Sequence, residues 1–184
     1  QRLAPELFMR VEGEEQSRKL ETFLNKLKLE ILPLLSTQAT IEQYSVELIG
    51  VRVGQTYRDN WVFLESKPEV WDIVQLGQVI IVNEQLARRT NLWVRDQVQL
   101  TPSLKLPIAA VVGDYGNPKG QVIITEKLFQ DIHPGLYPDR FGVRTQDASK
   151  LREQIIDKIG LDDTAIFDQA SIKTLSLEIF ERTF

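Results

Sequence analysis

The sequence predicts an α+β fold in two lobes. A strand-helix-strand pattern occurs twice, once near each end of the chain. The stretch between the two copies, residues 54–138, reads as mostly β with short helices. Composition is consistent with this. The chain has 184 residues, 42% of them hydrophobic and 26% charged, which suits a packed core and not a disordered chain. The length fits one large domain or two small ones.

The first copy is "LFMRVEGEEQSRKLETFLNKLKLEI". A short alternating strand passes through a polar turn into a helix. Leu20, Phe23, Leu24, Leu27 and Ile31 are spaced by threes and fours and so share one face. Ser17 is the expected N-cap, Glu14 and Glu21 lie near the positive end of the helix dipole, and Pro33 is expected to stop the helix. The strand that follows is expected in "TIEQYSVELIGVRV", residues 40–53.

The insertion comes next. "TYRDNW", Thr56 to Trp61, has no period and reads as a loop. Its bland reading is a loop anchored by Tyr57 and Trp61, with Arg58 and Asp59 in ion pairs. The sharper one is a recognition loop, since Trp, Tyr and Arg supply most binding energy in protein contacts. "GQVIIVNEQLARRTNLWVRDQVQLT" supplies a strand, a short helix from Asn83 to Thr90, and a strand segment with Val94, Val98 and Leu100 on the inner face. "KLPIAAVVGDY" and "KGQVIITEKLF" are two more strand runs, the second passing into the helix "TEKLFQDI" with Thr125 at its cap.

The second copy is "RFGVRTQDASKLREQIIDKIG", in which Leu151, Ile155 and Ile159 share a helical face. Asp147 can cap its start, and Gly160 can end it in the left-handed conformation. A strand is expected in "TAIFDQAS". The final stretch carries Ile172, Leu175, Ile179 and Phe180 at helical spacing. Two strand-helix-strand units side by side give a small sheet with both helices on one face, the ferredoxin-like arrangement. The expected division is residues 1–53 plus 139–184 in one lobe and 54–138 in the other.

Several functions are disfavoured by composition. Net charge is −4 and no run of Lys and Arg stands out, which argues against nucleic-acid binding. The absence of cysteine removes disulfides, thiolate metal sites and a cysteine nucleophile. With one histidine, His133, a multi-histidine metal site is also removed. His133 lies in a loop with two prolines, a poor setting for the base of a catalytic triad. No cofactor or metal site is expected.

"VVGDYGNPKGQVII" poses the sharpest question. A Walker-type phosphate loop needs Gly-Lys-Ser or Gly-Lys-Thr leading into a helix. Here the order is Lys119-Gly120-Gln121, and the apolar, β-branched run that follows is a strand. "GNPKG" is therefore read as a turn begun by Asn117 and Pro118, with Gly120 free to take positive φ. Asp59 and Asp114 are a weak candidate pair for acid-base work, because nothing in the sequence brings them together.

Taken together, "TYRDNW", "NEQLARRTNLWVRDQVQL", "VVGDYGNPKGQVIIT" and "LSLEIFERTF" resemble the extracytoplasmic domain of FtsX/MacB-like ABC transporter permeases. The resemblance covers about Leu7 to Phe184. It implies a porter-like lobe made of the two repeat units and an inserted, mostly β, sabre-like lobe. It implies a non-catalytic domain on the periplasmic side of an inner membrane, between two transmembrane helices outside this segment. Such a domain would pass ATP-driven motion to a lipid, lipoprotein, peptide or protein partner. The implied partners are a cytoplasmic ATPase and a second permease copy or sister permease domain. The two chain ends are then expected to leave the fold on the same side. Candidate partner contacts are Tyr57, Arg58, Asp59, Trp61, Tyr115, Asn117 and Lys119. The competing reading is a stand-alone periplasmic ligand-binding or sensor domain with a pocket lined by Tyr57, Trp61 and Tyr115.

Overall fold

A computed structural model describes residues 5–114 and 117–168 of the chain. Tyr115 and the helical stripe expected from Ile172 to Phe180 lie outside the described residues. In chain order the elements are β1 (Leu7–Arg10), α1 (Gly13–Lys26), β2 (Ile31–Ile41), β3 (Tyr44–Val51), α2 (Gln55–Asn60), β4 (Phe63–Ser66), α3 (Val70–Gln75) and β5 (Ile80–Asn83). They continue as α4 (Glu84–Thr90), β6 (Gln97–Thr101), β7 (Leu104–Val112), β8 (Gly120–Thr125), α5 (Glu126–Ile132), β9 (Arg140–Val143), α6 (Ala148–Ile159) and β10 (Ile166–Asp168). Contacts divide the chain into two compact units, residues 1–35 with 135–184, and residues 36–134.

In the first unit the strands run in the order β10-β1-β9-β2, each pair antiparallel. The units β1-α1-β2 and β9-α6-β10 thus interleave, which is the ferredoxin-like order expected of the repeat. Both helices close one core. Leu20 and Leu24 of α1 and Leu151 and Ile155 of α6 are buried with Leu7, Met9, Phe141, Val143 and Ile166, and Phe23 and Ile159 pack at its margin. Asp147 caps α6 by accepting from the Lys150 amide at 3.1 Å, and Gly160 ends it at φ +81°. Arg152 of α6 reaches down to β10, donating to the Ile166 carbonyl at 3.0 Å and to the Asp163 carboxylate. Asp162 caps the 3-10 turn before β10. Donors from the Thr164 amide and hydroxyl hold its carboxyl below the usual carboxylate range.

The boundaries of α1 differ from expectation at both ends. The helix begins at Gly13, with Glu12 at the cap position and its amide bonded to Gln16 Oε1 at 2.8 Å. Ser17 is therefore inside the helix and buried, not its cap. The helix ends at Lys26, and Lys28 turns the chain at φ +58°. Leu27 is consequently 38% exposed, and Ile31 belongs to β2, not to the helical stripe. Pro33 does not stop the helix. It sits in β2 opposite Phe141, at the border of this unit's strands, where a strand tolerates a missing amide proton.

The second unit takes its strands in the order β2-β3-β8-β5-β7-β4, with β6 also pairing β7. β3 pairs parallel to β8 from Val46↔Gly120 to Val51↔Thr125. This pairing draws residues 36–53 into the second unit, so contacts change at Leu35 and not after Val53. The strand completing the first repeat is β2, not the run at residues 40–53. Val94, Val98 and Leu100 are buried as expected. "TYRDNW" is not a loop: Gln55–Asn60 is a helix of 6 residues, too short to show a period.

α5 lies on β3 and β8 through Phe129, which is fully buried. Gly50 of β3 makes this fit possible, since a Cβ there would stand 2.6 Å from Phe129 Cβ and 2.8 Å from its Cγ. Gly50→Ala is expected to cost about 1–3 kcal/mol, the usual range for overpacking. Urea denaturation measures it, and an unchanged midpoint would show that α5 can shift away freely.

Candidate functional site

The sequence-selected residues fall at two places in the second unit. The first is built by α2, β4 and α3. Tyr57 projects from α2 into the core and is fully buried. Its ring lies 5.6 Å from Trp61 and 5.3 Å from Trp71, and Trp61 meets Trp71 edge-on at 5.5 Å. Phe63 completes the cluster at 5.9 Å from Trp71. Such tilted and edge-to-face pairs are each favourable by about 0.5–1.5 kcal/mol beyond their burial. Tyr57 is thus an anchor for α2 and offers no surface for direct contact. Arg58 forms an ion pair with Asp72 at 2.8 Å and donates to Gln75 at 3.3 Å, tying α2 to α3. Asp59 accepts from Gln55 at 2.7 Å on its own helix.

Next to this cluster the surface turns apolar. Trp61 and Phe63 point inward, and the alternate residues Val62 and Leu64 are 79% and 52% exposed. Leu64 borders the glycine-rich stretch: its Cδ2 is 3.2 Å from where a Cβ on Gly113 would stand. Val62, Leu64 and Trp71 were not singled out from the sequence. The alternation in "WVFLES" was available, but it does not say which face is covered.

The second place is the glycine-rich stretch itself. Its hub is Asn83, fully buried at the end of β5. Asn83 Oδ1 accepts from the amides of Leu86, which caps α4, and of Gln121 at 2.9 Å. Asn83 Nδ2 donates to the Asp114 carboxylate at 2.9 Å and to the Lys119 carbonyl at 2.8 Å. Asn117 is also buried. It donates to the same Asp114 oxygen at 2.8 Å and accepts from the Lys119 amide at 3.0 Å. Arg89 donates to the Pro118 carbonyl at 2.8 Å.

This arrangement answers the phosphate-loop question. The Lys119 and Gln121 amides are taken up by asparagine side chains, and Asp114 places a negative charge at the turn. Residues 117–119 form an irregular link into β8, with the Lys119 amide bonded back to Asn117 Oδ1, and Gly120 has no positive φ. Its packing is close: a Cβ there would stand 3.2 Å from Val46 Cγ1 and 3.3 Å from Leu86 Cβ. The Lys119 side chain is exposed. Asn117 is structural, and its role would have been visible only to a reader who knew that Asn83 faces it.

The remaining candidates have other engagements. Asp59 accepts from Gln55, and Asp114 accepts from Asn83 and Asn117. His133 follows α5, its amide donating to the Phe129 carbonyl at 2.8 Å and its ring 5.4 Å from that of Phe129. Among the described residues no group of three or more His, Asp or Glu is placed to hold a metal ion. No described helix is long and apolar enough to cross a membrane.

No family model matches the chain, and no curated protein is similar to it in sequence. Solved structures are similar in fold. The periplasmic region of MacB from Actinobacillus actinomycetemcomitans superposes with a TM-score of 0.62 at 15% identity, over 91% of this chain and 90% of that one. The extracellular domain of the noncanonic ABC-type transporter YknZ from Gram-positive bacteria gives 0.58 at 13% identity, over 90% of this chain and 99% of that one. The chain has the α+β fold of these extracytoplasmic transporter domains, in agreement with the expected fold class.

Proposed function

We propose that the chain is the extracytoplasmic domain of an ABC transporter permease, and that it transmits motion to a partner and makes no bonds itself. The observation that carries this reading is the register of β1 and β10. Leu7, the first residue of β1, is the direct cross-strand partner of Asp168, the last residue of β10. Directly opposed residues in an antiparallel pair lie roughly 5 Å apart. The start of β1 and the end of β10 therefore lie at the same end of one sheet, which suits a domain held between two membrane helices. The fold shared with MacB and YknZ domains supports the same reading.

In this reading the first unit is the porter-like lobe, next to the membrane, and the second is the sabre-like lobe. Flanking membrane helices connect the domain to a cytoplasmic ATPase. A second permease copy or a sister domain completes the transporter.

The chain itself has no cysteine, so a single reporter can be placed in it once any cysteine elsewhere in the full-length gene product is replaced by serine. Ser103, exposed at the β6-β7 turn, is replaced (Ser103→Cys) in the full-length gene product. A membrane-impermeant maleimide is expected to label it in intact spheroplasts. Labelling only after lysis would overturn the extracytoplasmic placement. Hydrogen exchange of β1 and β10 in the reconstituted transporter is expected to change on ATP addition. Identical exchange with and without ATP would remove the transmission role.

A further inference from the structure

We propose that β4 is a docking edge, to which an extended segment of a partner protein adds as a further strand, alternating apolar residues with Lys or Arg. The inference deepens the function proposed above by naming the surface and the partner's chemistry. It rests on that reading only for the existence of a partner.

Three observations carry it. First, β4 ends the strand order of the second unit and pairs on one side only, with β7, through Phe63↔Val112, Glu65↔Val111 and Ser66↔Ala110. Among the described residues, no strand pairs its outer side. Backbone amides and carbonyls so placed are a template for strand addition. Second, Val62 and Leu64 point away from the aromatic cluster at 79% and 52% exposure. An added strand with apolar residues at alternate positions would cover them. Behind them, Tyr57, Trp61, Phe63 and Trp71 form a packed base that keeps the strand in place.

Third, the segment that carries β4 is acidic. Residues 55–75 hold Asp59, Glu65, Glu69 and Asp72 against Arg58 and Lys67, two acidic groups in excess. Arg58 is already held by Asp72. Glu65 is exposed and accepts from the Trp93 indole, and Asp114 follows the glycine that Leu64 touches. A partner carrying cations beside its apolar residues is complementary to this segment. A second copy of the chain is not: it would bring the same acidic groups against each other. An anionic lipid surface is disfavoured by the same charges.

The experiment uses the purified chain and three synthetic peptides of seven residues: one alternating Lys with Val or Leu, the same peptide with proline at its centre, and one with Glu in place of Lys. The proline peptide keeps the charge and loses the strand, so it separates docking from general attraction to an acidic protein. The first peptide is expected to protect the amides of residues 62–66 from hydrogen exchange. It is expected to bind at least about tenfold more tightly than the other two. Leu64→Lys is expected to weaken it about tenfold without changing the melting temperature, whereas Leu136→Lys, at an exposed leucine of the other unit, is expected to leave binding unchanged.

Equal binding of the proline peptide would overturn the proposal. So would protection elsewhere than residues 62–66, an unaffected Leu64→Lys variant, or self-association through β4 that the peptide fails to displace. None of these readouts depends on the membrane, so this proposal and the transporter reading can fail separately.

Discussion

A chain carrying Leu20→Ala and Ile155→Ala together is expected to lose most of the stability of its first unit. Each side chain is fully buried in the core shared by α1, α6 and the four strands. Removing a buried Leu or Ile side chain to Ala costs about 2–5 kcal/mol, including the cavity left behind. The two losses together approach the whole stability of a typical domain, about 5–15 kcal/mol. The double-mutant cycle is the informative measurement. Sites in separate cores add to within about 0.5 kcal/mol, whereas sites sharing a core and its cavities depart from additivity by more. Additive losses measured by urea denaturation would mean that the helices are energetically separate, and the repeat would lose its physical meaning.

The second large effect is expected at Asn83. Asn83→Ala removes two accepted and two donated hydrogen bonds in a fully buried position. Each bond contributes about 1 kcal/mol net, and groups left buried without partners cost a further 1–3 kcal/mol. The expected loss is therefore about 3–5 kcal/mol, with a melting temperature lower by roughly 10 °C for a chain of this size. Asn117→Ala, which removes side-chain bonds to Asp114 and Lys119 at a turn and leaves the α4 cap in place, is expected to cost less. Equal, small effects of the two substitutions would mean that the turn is held by its backbone and that Asn83 is no hub. Because α4 takes its cap from Asn83, hydrogen exchange in α4 is expected to rise with the loss.

The comparison of sequence with structure turns on how far each signal reaches along the chain. α6 was legible in full, because an apolar stripe, a capping Asp147 and a terminating Gly160 are all local features. α1 was legible as a helix but not at its ends. Ser17 looked like a cap because it is a good one, yet the chain had already turned at Gly13, at φ +84°. α2 was hidden because 6 residues complete fewer than two turns. Residues 40–53 were read as one strand run; they hold the end of β2, a turn at Glu42 and Gln43, and β3, which pairs with β8, a partner an apolar run does not name.

What the sequence determined by itself was the repeated strand-helix-strand pattern, the mostly β stretch between its copies, and the break between strand runs at Asn117 and Pro118. These depend on periodicity and on backbone preferences within a few residues. Only the tertiary structure decided that β3 belongs with β8, that Asn83 organises the glycine-rich turn, that Tyr57 is buried while Val62 is exposed, and that Leu7 faces Asp168. Each of these is a meeting of residues far apart in the chain or a choice of which face is covered. Such choices are set by the free energy of the whole packed unit, and no local stretch of residues encodes them.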